Sequence, residues 1–194
     1  MTPWYVVQVR AGQEGHAIAL IERRAREAER SGDEAAPREA DGVSVRPVVP
    51  LVRECFAPRY RTQQKVRGVW RSVERPLIPG YVIVVTDAPE RLIKVLRGIP
   101  MFTKLLRNEA RFIPLDRNEV AWFEAFTREH DRTVPLSTAI KEGDTVTITD
   151  GPLQQHAATI TRIDRRRSMA YVRISFLGRT KEVPVGLKVV AKRG

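Results

Sequence analysis

A single cysteine, Cys55, stands in 194 residues; this excludes an internal disulfide framework and fits a reducing compartment. With three scattered histidines, His16, His130 and His156, there is no zinc-ligand spacing. No apolar run approaches the roughly 20 residues of a membrane-spanning helix. Met1-Thr2-Pro3-Trp4 lacks the basic-then-apolar order of a signal peptide. A cytoplasmic protein that avoids the membrane is expected. A catalytic set is missing too. Asp87/Glu90 and Asp116/Glu119 are acid pairs, but both stand where helix caps belong. Gly143, Gly151 and Gly178 sit at turns without a phosphate-loop spacing. The reading is a non-enzyme with no cofactor and no metal.

Positive charge, by contrast, is abundant. Lys and Arg number 34 against 23 Asp and Glu, a net +11. Up to residue 133 there are 23 basic and 18 acidic residues; from 134 on there are 11 and 5. The second part is far shorter, so its charge density is roughly double. A dense basic surface attracts polyanions, nucleic acid first and anionic membrane second, with plain solubility as the bland alternative.

The stretch Arg75-Pro76-Leu77-Ile78-Pro79-Gly80-Tyr81-Val82-Ile83-Val84-Val85 organises the first part. Two prolines force extended backbone and Gly80 permits a sharp bend. Tyr81–Val85 then reads as a strand buried on both faces. Apolar Leu77, Ile78 and Tyr81 at that bend are either tucked under a loop or offered to a partner.

In chain order, Trp4–Val9 alternates as a strand. Ile18, Ile21, Ala25 and Ala28 give a helical stripe from Gln13 to about Arg30. Asp33–Asp41 reads as a mobile loop, and Val43–Val52 has no clear structure. Glu54–Tyr60 is a strand with Pro58 at an edge or bulge. Arg61–Arg75 is basic, with Glu74 its one acid, and reads as a projecting hairpin about Gly68. A helix capped by Asp87 and Glu90 presents Leu92, Val95 and Leu96, and Gly98 closes it. Short strands around Asn108 precede a second capped helix, Asp116 with Glu119, stapled by Leu115 and Val120. Thr127–Thr138 loses all periodicity. Beyond it the pattern is all-β: Val146/Ile148, Ala158/Ile160, Ala170 to Phe176 and Val183 to Val189 alternate between turns. The fold class is α+β, an antiparallel sheet flanked by helices followed by a small SH3-like barrel.

In order and spacing these pieces resemble the NusG family. WYVVQVRAGQE, FAPR, RPLIPGYVIV and GIP are similar to its NGN domain; IKEGDTVTITDGPLQQHAATITRID and SFLGRTKEVPV are similar to its KOW domain. The resemblance implies an NGN-like domain over 1–128, a linker over 129–138 and a KOW domain over 139–194. It also implies that Leu77, Ile78, Pro79, Gly80 and Tyr81 form an apolar pocket for the clamp helices of RNA polymerase, with Trp4 beneath or beside it. DGPLQQH, IDRRRSMAYV and EVPVGLKVV are most similar to the LoaP subgroup, specialised paralogues whose KOW domain recognises an RNA hairpin in a nascent leader transcript. Leu153 replaces the phenylalanine common in general factors, and Ala158 stands at the motif glycine. For RNA, the candidate residues are Arg162, Arg165, Arg166, Arg167, Gln154, Gln155, His156 and Lys181. Arginines on a turn can bind phosphate and stack on bases, although a solvated turn is the plain alternative. The resemblance to general factors implies instead a KOW domain that grips Rho or a ribosomal protein through Leu153, Phe176 and Leu177. A ribosome-associated structural protein is a third reading, which the NGN-like half opposes. A monomer is expected.

Overall fold

The computed structural model describes residues 2–31, 50–106 and 111–191. The expectations for 33–41, for 43–49 and for the turn at Asn108 lie outside these residues. In chain order the elements are β1 (Trp4–Val9), α1 (Glu14–Arg30), β2 (Glu54–Phe56), β3 (Arg59–Val66), β4 (Val69–Pro76) and β5 (Tyr81–Val85). Next come α2 (Pro89–Arg97), β6 (Thr103–Leu105), α3 (Arg117–Phe126) and β7 (Thr133–Val134). The remainder is β8 (Ser137–Glu142), β9 (Thr145–Asp150), two short 3-10 turns, β10 (Ile160–Asp164), β11 (Met169–Phe176) and β12 (Arg179–Ala191). The class is α+β, as expected. Among the described residues no helix is long and apolar enough to cross a membrane. The chain forms two compact units, residues 1–56 with 80–114, and residues 57–79 with 115–194.

The first unit is built on an antiparallel sheet in the order β2-β5-β1-β6. Its inner strands carry the continuous apolar runs: Val6, Val7, Val82, Ile83 and Val84 are all fully buried. The Gly80 bend has two fastenings. Gly80 N donates to Glu14 Oε1 at 2.7 Å, and Val9 N donates to Gly80 O at 2.9 Å. Gly80 has φ +84, the left-handed region that glycine enters without a side-chain clash. Glu14 is itself buried, so the face that α1 buries is Glu14, Ala17, Leu20, Ile21 and Ala25. Ile18, expected in that stripe, is only half-buried. The cap expected at Asp87 is also displaced. Pro89 takes the first helical position, which suits its fixed φ, and the cap falls on Ala88 with no side-chain bond. Asp87 instead pairs with Arg53, Oδ2 to Nη2, at 2.8 Å. Of the short strands expected around Asn108, the one before it is β6, while after it Pro114 makes only an isolated bridge with Tyr5.

The second unit contains the hairpin. β3 and β4 pair from Arg59↔Pro76 to Val66↔Val69, and Arg67 and Gly68 turn with φ of 50 and 84. Two successive left-handed residues make the tight hairpin turn whose twist matches its strands. The strand expected over Glu54–Tyr60 breaks at Ala57-Pro58, because proline offers no N–H to a ladder. Its halves join different sheets. β10-β11-β12-β8-β9 form a five-stranded sheet, with β12 and β8 parallel and the other pairs antiparallel. The alternation read at Ala170, Val172, Ile174 and Phe176 is observed, and all four are buried. Ala158, by contrast, lies in a 3-10 turn and is exposed. Part of the aperiodic Thr127–Thr138 stretch is structured: β7 pairs with β3 through Tyr60↔Val134, and Ser137 opens β8. α3 has the expected capping box, Glu119 N to Asp116 Oδ1 at 2.8 Å and Asp116 N to Glu119 Oε2 at 2.9 Å.

Hairpin and sheet meet at Gly186. A Cβ there would fall 1.9 Å from the carbonyl oxygen of Arg61 and 2.8 Å from Leu136 Cδ1, so only glycine permits the crossing. Gly186→Ala should therefore cost at least about 1–3 kcal/mol through overpacking, read by urea unfolding. Gly15→Ala is the control, since a Cβ on Gly15 meets nothing within 4 Å; it should match or slightly exceed wild type.

Cys55 is buried, and that burial raises its thiol pKa, with Glu22 and Glu54 adding to the effect. Above about pH 8.5 the unfolded chain releases this proton while the folded chain keeps it. The stabilisation is therefore complete at lower pH and is lost as pH rises. Stability should fall by about 1 kcal/mol in the first pH unit beyond that value, and by about 1.4 kcal/mol per unit after it. Cys55→Ala should flatten this slope in urea unfolding between about pH 8.5 and 10, below the range where buried tyrosines join in.

Candidate nucleic-acid interface

The turn between β10 and β11 carries Arg165, Arg166 and Arg167, all exposed. Its backbone is held from several sides. Arg167 N donates to Asp164 Oδ1 at 3.1 Å and Ser168 N to Arg165 O at 3.4 Å. Ser168 is buried with φ 53, and its carbonyl accepts from Thr62 Oγ1 at 2.9 Å and from Leu187 N at 3.0 Å. Next to it, Tyr60 Oη lies 3.6 Å from Met169 Sδ. The β3 strand thus fastens the base of the turn, while the guanidinium groups stand in solvent. Asp164 offsets them weakly, its Oδ2 lying 3.8 Å from Arg167 Nε.

The remaining residues read for RNA divide into two groups. Gln154 and Gln155 are exposed on the loop after β9. The register aligns Asp150 with Thr138, Ser137 with Leu187, and Gly186 with Met169 and, through it, Asp164. That loop and the arginine turn consequently lie at the same end of the sheet. His156 is half-buried and packs at a tilt against Phe126, with centroids 4.6 Å apart, so its ring is engaged. Arg162 lies over the ring of Tyr171 at 3.7 Å and near Glu182 at 3.8 Å. Lys181 pairs with Ile174, five residues up β11 from Met169, or about 16 Å along the strand. The fold does not bring Lys181 to the turn.

The residues read for polymerase are mostly interior. Leu77 and Ile78 are buried and Pro79 is exposed; Leu77 N donates to Pro58 O at 2.8 Å. In the first unit, Gly80 is buried, Tyr81 is half-buried and pairs with Gln8, and Trp4 packs edge-on against Phe56 at 5.4 Å.

Sequence reasoning missed a cleft of about 430 Å³ where the hairpin meets the arginine turn. Gln63, Lys65, Trp70, Arg75, Arg166 and Arg167 are among its lining residues. Lys65 and Trp70 are cross-strand partners. The basic hairpin with its tryptophan was a legible signal; its meeting with a turn a hundred residues later was not. Among the described residues, no group of His, Cys, Asp and Glu could hold a metal ion.

A family profile described as "Transcription termination factor nusG" matches residues 2–124. The transcription termination/antitermination protein NusG of Thermus thermophilus is 26% identical over 200 residues, covering 97% of this chain and 97% of that protein. That of Borreliella burgdorferi is 27% identical over 152 residues, 73% of this chain and 82% of that protein. A solved structure described as "Domain interaction in Thermotoga maritima NusG" matches with a TM-score of 0.53 at 21% identity, covering 97% of this chain and 94% of that one. That likeness concerns the fold. With well over half of its length inside the family profile, the chain belongs to the NusG family of transcription termination/antitermination proteins.

Proposed function

We propose that this protein is a processive antitermination and elongation factor. It engages the clamp helices of RNA polymerase through Leu77–Tyr81 with Trp4, and a nascent RNA hairpin through the Arg165–Arg167 turn. In this reading 1–128 and 139–194 are the two functional domains, joined by 129–138, and the functional type is that of the LoaP subgroup. The observation that carries the RNA half is the turn itself. Three exposed arginines stand on a backbone held by Asp164, Thr62 and Leu187. A rigid base lets guanidinium groups present paired donors and a stacking plane at less entropic cost than a loose loop.

The competing reading gives 139–194 a protein partner, Rho or a ribosomal protein, on Leu153, Phe176 and Leu177. Leu153 and Phe176 are fully buried here, and Phe123 of α3 packs edge-on against Phe176 at 6.4 Å. Such a partner would have to displace α3 first. The arginine turn needs no such rearrangement, which favours RNA.

Replacing Arg165, Arg166 and Arg167 together by alanine should weaken binding of a structured leader hairpin and flatten its salt dependence, by about 0.7–0.9 of a counterion for each phosphate no longer neutralised. Polymerase pull-down should persist. Equal hairpin affinity in wild type and triple variant would remove RNA recognition by this turn. For the polymerase half, Tyr81→Ala should weaken pull-down by roughly 2 kcal/mol or more if the half-buried ring is a central contact. Undiminished pull-down by a folded Tyr81→Ala protein would refute that assignment.

A further inference from the structure

The hairpin tip is unusual for a surface. Val69 is 60% exposed, Trp70 49% and Val66 38%. These apolar groups stand among cations, and Trp70 lines the same cleft as Arg166 and Arg167. We propose that this cleft binds a single-stranded nucleic-acid segment, with the Trp70 indole stacked on an unpaired base and Lys65, Arg75, Arg166 and Arg167 contacting the flanking phosphates. The proposal rests on the reading of the arginine turn as a nucleic-acid surface and extends it to a part of the chain about a hundred residues earlier.

Three features support it. First, the cleft's lining includes Lys65, Arg75, Arg166 and Arg167 and no carboxylate. Its field is therefore positive, and its volume of about 430 Å³ lies within the roughly 300–1,000 Å³ usual for ligand pockets. Second, Lys65 and Trp70 are cross-strand partners and share a face of the hairpin. A phosphate on the lysine would lie beside a base on the indole, the pairing of groove charge and aromatic platform that single strands use. Third, Gln63 lies in the lining and Gln64 Oε1 accepts from Arg75 Nη2 at 2.9 Å. The first amide can reach a base edge and the second orients a cation. The two walls are fixed to each other by Thr62–Ser168 and by the Gly186 crossing, so the cleft is formed before its ligand arrives. An acidic peptide would use the cations but leave the exposed indole without a role. A base uses both.

The test uses the full chain and measures anisotropy with a labelled RNA of about ten nucleotides lacking secondary structure, within the site sizes usual for such grooves. DNA of the same sequence and the matching RNA duplex are measured alongside. Trp70→Ala should weaken single-strand binding roughly tenfold, Trp70→Phe should restore most of it, and duplex binding should not change. An equal loss on RNA and DNA supports a site that reads base and phosphate. A loss confined to RNA supports one that also reads the 2′-hydroxyl. Because Trp70 is half exposed, both variants should keep the wild-type melting profile. Wild-type affinity of Trp70→Ala for single strands would overturn the cleft. If the triple arginine variant still loses the hairpin in that case, only the cleft falls; if neither variant changes any affinity, the reading of the turn falls with it. Displacement of the RNA by polyglutamate as efficiently as by unlabelled RNA would assign the site to acidic peptides and also overturn the proposal.

Discussion

The second unit depends on one approach that a side chain would forbid. At Gly186 the β12 backbone runs so close to the Arg61 carbonyl that any Cβ would overlap its oxygen. Everything on the hairpin side follows from that approach. Thr62 reaches the Ser168 carbonyl, and Tyr60 reaches Met169. Ser168, in a left-handed conformation that costs a non-glycine residue about 1–2 kcal/mol, is held there by two donors to its own carbonyl. The strain is local, and the compensation comes from Thr62, about a hundred residues earlier, and from Leu187 on β12. The arginine turn therefore inherits rigidity from a crossing in which none of its own residues takes part.

A buried carboxylate plays the matching part on the helical side. Glu119 is 3% exposed, and an unsatisfied charge at that depth would be costly. It is fully engaged. One oxygen closes the α3 capping box on Asp116, and the other accepts from Gly178 N at 2.9 Å and Ser175 Oγ at 3.4 Å. Leu177 and Gly178, with φ of 56 and 69, turn β11 into β12 there. Such a turn leaves an amide pointing outward, and Glu119 meets it. Phe123, one helical turn further on, then packs on Phe176. The residue that starts the helix also docks it, so loss of its carboxylate would disturb capping and packing together.

What could be read from the sequence was set by neighbours in the chain. β1, α1, the hairpin, β5 and the alternating β11 follow from periodicity, glycine and proline, all of which act within a few residues. The departures have the opposite character. The buried stripe of α1 differs from its periodicity because Glu14, which looks like an exposed acid, is buried to hold Gly80 N, sixty-six residues away. Asp87 does not cap α2 because Arg53 claims the carboxylate. β8 begins inside a stretch without periodicity because its first residues are strand by virtue of pairing with both β9 and the distant β12. Of the candidate site, the arginines were legible because a tight turn must expose them. The cleft they share with Trp70 was not, because a crossing made by the absence of a side chain leaves no pattern to find.

Charge on this chain is not uniformly available to a partner. Arg59 and Arg61 share Glu74 at 3.5 and 2.8 Å, and Arg162 has Glu182 at 3.8 Å. Exposed pairs of this kind contribute about 0–1 kcal/mol, so they dampen the local field more than they hold the fold. Among the cations lining the cleft, Arg167 has Asp164 close by, at 3.8 Å. Like charges gathered on a rigid support repel, and a turn fastened at its base cannot relax by spreading. That repulsion is a cost of the folded unit alone, because the unfolded chain separates the hairpin from the turn. A polyanion in the cleft would remove the cost as well as add its own attraction. Binding and folding of the second unit are thus linked in the same direction, and the linkage weakens as salt screens both the repulsion and the attraction.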